Sequence, residues 1–166
     1  MLGKLVNRHE KIAFYGVKDE NGAVTYHRMC GFTKMDTSKN PAHYSRRYID
    51  ESFEQTDVVA FSPSIAFSFD RYNGNPVHDD IVSISDNELL GTDAVRSIVV
   101  ADLSTIKDGS CDAICRNFSV IVDSEGDSTD AFTLSGSFNT KGEKIFGKAV
   151  ISPDGQTLEF TENEAV

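Results

Sequence analysis

Phe61, Ile65, Phe67 and Phe69 alternate with Ser62, Ser64, Ala66, Ser68 and Asp70, a strict period of two over one short stretch. Side chains on a strand leave alternately from its two faces, so this spacing predicts a strand with one aromatic face and one small, polar face. Asn73-Gly74 ends it. Asn75 then offers a helix N-cap and Pro76 a first helical residue, where a missing N–H costs nothing. Asp79 and Asp80 fall early enough to favour the helix dipole, and Val77, Ile81 and Ile84 share one helical face. A polar connection leads to a second strand that ends near Asp102. One helix among strands predicts a mainly β chain: a sandwich or barrel with a single packed helix.

The remaining segments extend this pattern. Lys11–Val17 and Ala23–Gly31 read as strands joined through Asp19-Glu20-Asn21-Gly22, and Asn-Gly between such runs is a hairpin signal. Phe118, Val120 and Val122 alternate within Ile114–Asp123. Phe132, Leu134, Gly136 and Phe138 do the same within Ala131–Phe138. Lys144–Ile151 follows, then the turn Pro153-Asp154-Gly155 and a last strand, Thr157–Phe160, before the acidic tail of residues 161–166. About eight strands and one helix result, without repeats, in a single domain spanning residues 1–166.

One stretch breaks the pattern. The 28 residues Thr33–Ala60 show no sustained period, and structureless loops beyond about 12–15 residues are uncommon in compact domains unless they are functional or disordered. Disordered segments are poor in aromatic residues, whereas this one mixes Met35, Tyr44, Tyr48, Ile49 and Phe53 with Arg46, Arg47, Asp50, Glu51 and Glu54. Aromatic and arginine anchors among charged neighbours are the composition of a contact surface. Residues 33–60 are therefore expected to form an extended arm that grips another molecule, with a disordered hinge or an ordered surface flap as the alternatives.

Charge and chemistry narrow the function further. The 26 acidic and 16 basic residues give a formal charge of −10, which argues against a module built to neutralise DNA phosphates. No apolar run approaches a membrane span, and the opening MLGKLVNRHEK lacks the apolar core of a signal peptide, so no membrane association is expected. Cys30, Cys111 and Cys115 are an odd set that suits reduced thiols in a cytosolic setting. Cys111 and Cys115, four apart, would share a strand face with only Asp112 nearby, too few ligands for a metal.

The four histidines, His9, His27, His43 and His78, have no metal-binding or nucleophile-activating spacing. His78, Asp79 and Asp80 read as ordinary polar groups of a helix first turn. The run Asp123, Glu125, Asp127 and Asp130 holds enough carboxylates to tempt a calcium reading. It has neither the glycine nor the distant glutamate of an EF-hand, and a solvated turn explains it with less. No nucleophile elbow or phosphate-cradling loop is present. No catalytic residue, cofactor or metal is expected, and no enzymatic activity.

Two blocks, SPSIAFSFDRYNGNPVHDDIVSISDNELLGTDAVRSIVV and NFSVIVDSEGDSTDAFTLSGSF, carry a likeness over roughly Tyr44–Phe160. They resemble the major tail tube proteins of long-tailed phages and related prophages. The resemblance implies a structural virion protein, made in the host cytoplasm, whose homo-hexameric rings stack into the tube that delivers DNA. Partners implied with it are further copies of the chain and the tape-measure, tail terminator and distal tail proteins; DNA passes through without specific binding.

In this family a long loop after the first hairpin reaches from ring to ring. That casts Thr33–Ala60 as the stacking loop and Tyr44, Arg46, Arg47, Tyr48, Ile49, Asp50, Glu51 and Phe53 as inter-ring contacts. Asp123, Glu125, Asp127 and Asp130 become candidates for a lumen that repels the DNA backbone. From Asp102 to Asp130 seven acids face only Lys107 and Arg116. Three other readings stay open: the tube protein of a contractile tail, phage-like bacteriocin or type VI secretion apparatus; a virion decoration or binding module; and a metal-dependent enzyme using the Asp123–Asp130 loop.

Overall fold

In the computed structural model, which describes residues 1–165, the alternating segments become strands of one strongly curled antiparallel sheet. Lys11–Lys18 (β1) and Val24–Arg28 (β2) form the first hairpin. The Asp19 carboxylate accepts from the N–H groups of Asn21 and Ala23, and Gly22 takes a left-handed φ of 82°. The turn is thus a three-residue connection with glycine in the left-handed position, rather than a two-residue Asn-Gly turn. Phe32–Ser38 (β3), Ser64–Asp70 (β6), Val95–Lys107 (β7), Ser110–Glu125 (β8), Thr133–Thr140 (β9), Ile145–Ile151 (β10) and Thr157–Glu162 (β11) complete the sheet. Pro41–Arg46 (β4) and Gln55–Phe61 (β5) pair only with each other, and Pro76–Asp86 is the helix, α1.

The long strand β8 organises everything else. Its first half pairs with β7 on one side and with β10 on the other, from Ile145 opposite Cys115 to Ala149 opposite Cys111. That second pairing closes β8-β7-β1-β2-β11-β10 into a six-stranded barrel. From Phe118 onward β8 exchanges β10 for β9, and the sheet continues outward through β6 to β3. The mainly β architecture with a single helix is therefore the one the alternation predicts.

A barrel of six strands is narrower than the eight-stranded kind that side chains just fill. Its interior accordingly uses small residues: Ala101, Cys111, Ala113, Cys115 and Ala149 surround Phe14, Val99 and Leu158. Gly16 lines it too, where an added Cβ would stand 2.7 Å from Ser97 Oγ. This accounts for the two cysteines on one strand face. They are free thiols, buried as small core residues, and burial pushes both thiols above their ordinary pKa.

The opposite face of the same sheet buries α1. Asn75 Oδ1 accepts from the N–H groups of Val77 and His78, as its N-cap position predicts, and Pro76 is the first helical residue. Val77, Ile81 and Ile84 pack onto Tyr15, Phe67, Phe69, Ile98, Leu134 and Phe138. Phe67 and Phe138 stack with ring centroids 4.3 Å apart.

Several boundaries differ from those expected. Residues 33–60 are largely strand, divided between β3 and the β4–β5 hairpin, not one extended arm. With these additions there are eleven strands among the described residues rather than about eight. Phe61 ends β5 and is 61% exposed, so the aromatic face of β6 begins at Ile65. Phe132 precedes β9 and is half exposed. β11 runs to Glu162, taking the first two residues of the acidic tail; Val166 lies outside the described residues.

Candidate assembly surfaces

The β4–β5 hairpin stands apart from both cores. Every residue of its strands is exposed except half-buried Arg46. Its base is clamped by Asn40, whose Nδ2 donates to Ser62 O at 3.0 Å. Near the tip Arg46 pairs with Asp57 at 2.6 Å, donates from Nε to the Tyr48 hydroxyl at 2.9 Å, and packs over the rings of Tyr44 and Tyr48. Those bonds hold its guanidinium firmly protonated. Glu51 accepts from Gln55.

Arg46 and Glu51 are thus engaged within the hairpin, while among the described residues Arg47 and Asp50 make no ion pair. Ile49 and Phe53 are 108% and 81% exposed, and Tyr44, Tyr48, Val58, Val59 and Phe61 are all about half exposed. A lone two-stranded hairpin is marginal in water, and so concentrated an exposed apolar surface is a candidate contact site.

A second surface lies on the four-stranded part of the sheet, where the rows align as Val120–Phe138–Ile65–Thr37 and Val122–Gly136–Phe67–Met35. Val120, Phe138 and Phe67 face α1. The alternate positions point the other way: Ser64, Ala66 and Ser68 on β6, Ser135 and Ser137 on β9, Ser119 and Ile121 on β8, and Lys34 and Asp36 on β3. This face is small and polar, and its charged members Lys34, Asp36, Asp70 and Asp123 carry three negative charges against one positive. The serine half of the alternation is legible in the sequence, but only the sheet order gathers it onto one face.

Both edges of this four-stranded sheet are open. Among the described residues β3 has β6 on one side and no strand on the other. β8 pairs with β7 as far as Ser119 opposite Val95, so among the described residues Val120–Glu125 have no strand on that side. Unpaired edges template further strand pairing unless they are covered.

The candidate lumen acids separate. A register slip between Val122 and Ser124 leaves Asp123 as the extra residue of a bulge, and Glu125 ends β8. Asp127 and Asp130 lie beyond the sheet in the exposed β8–β9 connection.

The polar groups around α1 form a structural network instead of a reactive centre. Asp80 accepts from Arg96 Nε at 2.9 Å and from the Tyr15 hydroxyl at 2.7 Å, and Arg96 also donates to the carbonyls of Asp93 and Val95. His78 is fully buried, stacked on Phe69 at 4.4 Å. Only Asp79 remains the exposed first-turn acid the sequence suggests; His78 is buried in the core and Asp80 is partly buried beside it, because the helix turns its first coil into the sheet.

His78 Nδ1 accepts from Tyr72 N–H at 3.1 Å, which makes Nε2, 2.7 Å from Cys30 O, the protonated nitrogen. Burial pushes this imidazole below its ordinary value of 6.5. A depressed histidine resists protonation in the folded state while the unfolded chain accepts the proton. Stability is therefore present above about pH 6.5 and is lost as pH falls through that value. The melting temperature is expected to fall between pH 7.5 and 5, and His78→Gln should flatten that dependence. An unchanged slope in the variant would assign the acid sensitivity elsewhere.

Among the described residues no three histidines, cysteines or carboxylates are grouped to hold a metal ion, and no helix is long and apolar enough to cross a membrane. The sequence matches no protein-family model, and no curated protein matches it.

Proposed function

We propose that this chain is a structural subunit whose copies join into hexameric rings that stack as a phage tail tube. The observation that carries the reading is the four-stranded sheet with two open edges and a serine-rich outer face. Edge β3 of one copy and the free Val120–Glu125 edge of the next are different surfaces, so the contact is heterologous and closes into a ring when its rotation permits. Repetition makes one continuous barrel wide enough for an open bore, and removes the exposed edges.

The serine-rich face would then line the bore. Small hydroxyl side chains with a slight acidic excess repel a phosphate backbone and release no counterions to it, so DNA passes without being held. The β4–β5 hairpin supplies the contact between rings, and the tape-measure, tail terminator and distal tail proteins remain the partners that the tail-tube likeness implies. No chemistry is required of the subunit.

Purified protein, concentrated and imaged by negative-stain electron microscopy, is expected to show rings and filaments with a central channel. Isolated globules at every concentration would overturn the assignment.

A further inference from the structure

A recess of about 490 Å³ opens beside the free edge of β3, with four cations, Arg8, Lys11, Arg28 and Lys34, in its lining. Among the described residues no carboxylate lines it, in a chain whose net charge is −10. Lys11 is paired with Asp102, and Lys34 lies 3.8 Å from Asp36. Among the described residues Arg8 and Arg28 pair with no carboxylate. Arg8 donates instead to two carbonyls, Lys11 O at 2.7 Å and, on the open edge of β3, Met35 O at 3.3 Å. Met29, Phe32 and Met35 give the recess a half-buried apolar floor.

A complementary surface stands on the other edge of the same sheet. Glu125, at the end of β8, and Asp127 and Asp130, in the turn to β9, are exposed and, among the described residues, without an ion-pair partner. Residues 117–140 contain no lysine or arginine to balance them. Phe132 leans over Gly126 in this turn and keeps half its surface exposed. Like charges gathered in this way repel one another, so bringing the two clusters together would relieve both. Within one subunit they are held apart, because β9 and β6 lie between them, three strand spacings or roughly 14 Å across the sheet. They nevertheless share one end of it, since the row Glu125–Leu134–Phe69–Phe32 runs from edge to edge. Strand direction alternates from β8 through β9 and β6 to β3. Rotation into a ring therefore sets β8 of the next copy antiparallel to β3, with its acidic turn at the end where the recess lies.

We infer that the recess bounded by Arg8, Lys11, Arg28 and Lys34 receives the β8–β9 turn of a second copy. Glu125, Asp127 and Asp130 of that copy meet the cations while its Phe132 covers the apolar floor. The contact rests on the ring assembly proposed above and names the charges that hold its junction. It places Asp127 and Asp130 between neighbouring subunits instead of in the bore. Charged pairs of this kind fix register and choice of partner more than they add affinity.

The test uses the intact protein. Equal amounts of unlabelled and uniformly nitrogen-15-labelled chain are mixed while dilute, concentrated together, and treated with a carbodiimide. This reagent condenses a carboxyl with an amine into an amide, with loss of water. Mass spectrometry of the digest is expected to find Glu125, Asp127 or Asp130 joined to Lys11 or Lys34, with mixed-isotope peptides as frequent as single-isotope ones. Two variants then test the charges. Arg8→Glu with Arg28→Glu reverses the recess, and Asp127→Lys with Asp130→Lys reverses the turn. Each alone should lower the yield of large assemblies in sedimentation several-fold. An equal mixture should recover it, because a ring of even number can alternate the two so that every junction pairs opposite signs. Crosslinks confined to one isotope, no crosslink from the turn to either lysine, or a mixture no larger than its components would each overturn the inference. Where a variant fails to fold, the crosslink in the parent chain decides. Micrographs of the parent sample separate this contact from the tube assignment. Filaments without mixed crosslinks sink only the contact, and mixed crosslinks without rings or filaments sink only the tube.

Discussion

Removing Tyr44–Glu54 is expected to abolish filaments while leaving the subunit folded. The excised residues belong to a hairpin that pairs only with itself and contributes nothing to either core. Surface changes of this kind shift stability by roughly 0.5 kcal/mol, about 1–2 °C of melting temperature in a chain of this size. Assembly should respond far more strongly. Ile49 and Phe53 are almost fully exposed in the subunit, and burying each against a neighbour contributes roughly 1.5–3 kcal/mol. An exposed ion pair contributes only about 0–1 kcal/mol. Hence Ile49→Ser with Phe53→Ser should shorten or eliminate filaments, and Arg47→Ala with Asp50→Ala should mainly disturb their regularity. Filaments of ordinary length from the deletion variant, measured by electron microscopy, would remove the hairpin from the contact between rings.

The second large effect is on stability. Gly136 lies in β9 where β8 bulges towards it, and a Cβ there would stand 2.0 Å from the Ile121 carbonyl oxygen and 2.9 Å from Val122 Cα. Both atoms are backbone, held by the ladder, and cannot swing aside. Gly136→Ala is therefore expected to force β8 and β9 apart, a loss of about 4 kcal/mol or more that corresponds to roughly 8–16 °C. Gly3→Ala, with nothing within 4 Å, is the matched control and should melt like the parent chain. A Gly136→Ala melting curve within about 2 °C of the parent would show that the strands have room the geometry denies.

The parts of the fold that sequence reveals are those where one physical demand acts alone. β6, β9 and α1 have one buried face each, so their apolar residues keep time, and Asn75-Pro76 fixes where the helix begins. β4 and β5 have no buried face, so nothing imposes an alternation and their strand character stays hidden. β3 hides for another reason, since a bulge between Phe32 and Lys34 shifts its period by one. His78 and Asp80 look like surface residues because their burial depends on partners far along the chain, Cys30 for one, Tyr15 and Arg96 for the other. The aromatic and arginine content of residues 44–53 is legible in the sequence, and the structure leaves Tyr44, Tyr48, Ile49 and Phe53 exposed. The serine-rich face and its open edges are not legible there, because both arise from the order of strands that are distant in sequence.

The sixteen residues of β8 belong to the barrel at one end and to the open sheet at the other. Tension drawn along this strand would be resisted in shear by ladders on both flanks as far as Ser119, and by the β9 ladder alone beyond it. Many hydrogen bonds would strain together instead of being unzipped one at a time. A wall built from such members bends by flexing whole subunits, and its seams, where one copy meets the next, become the places where it first tears.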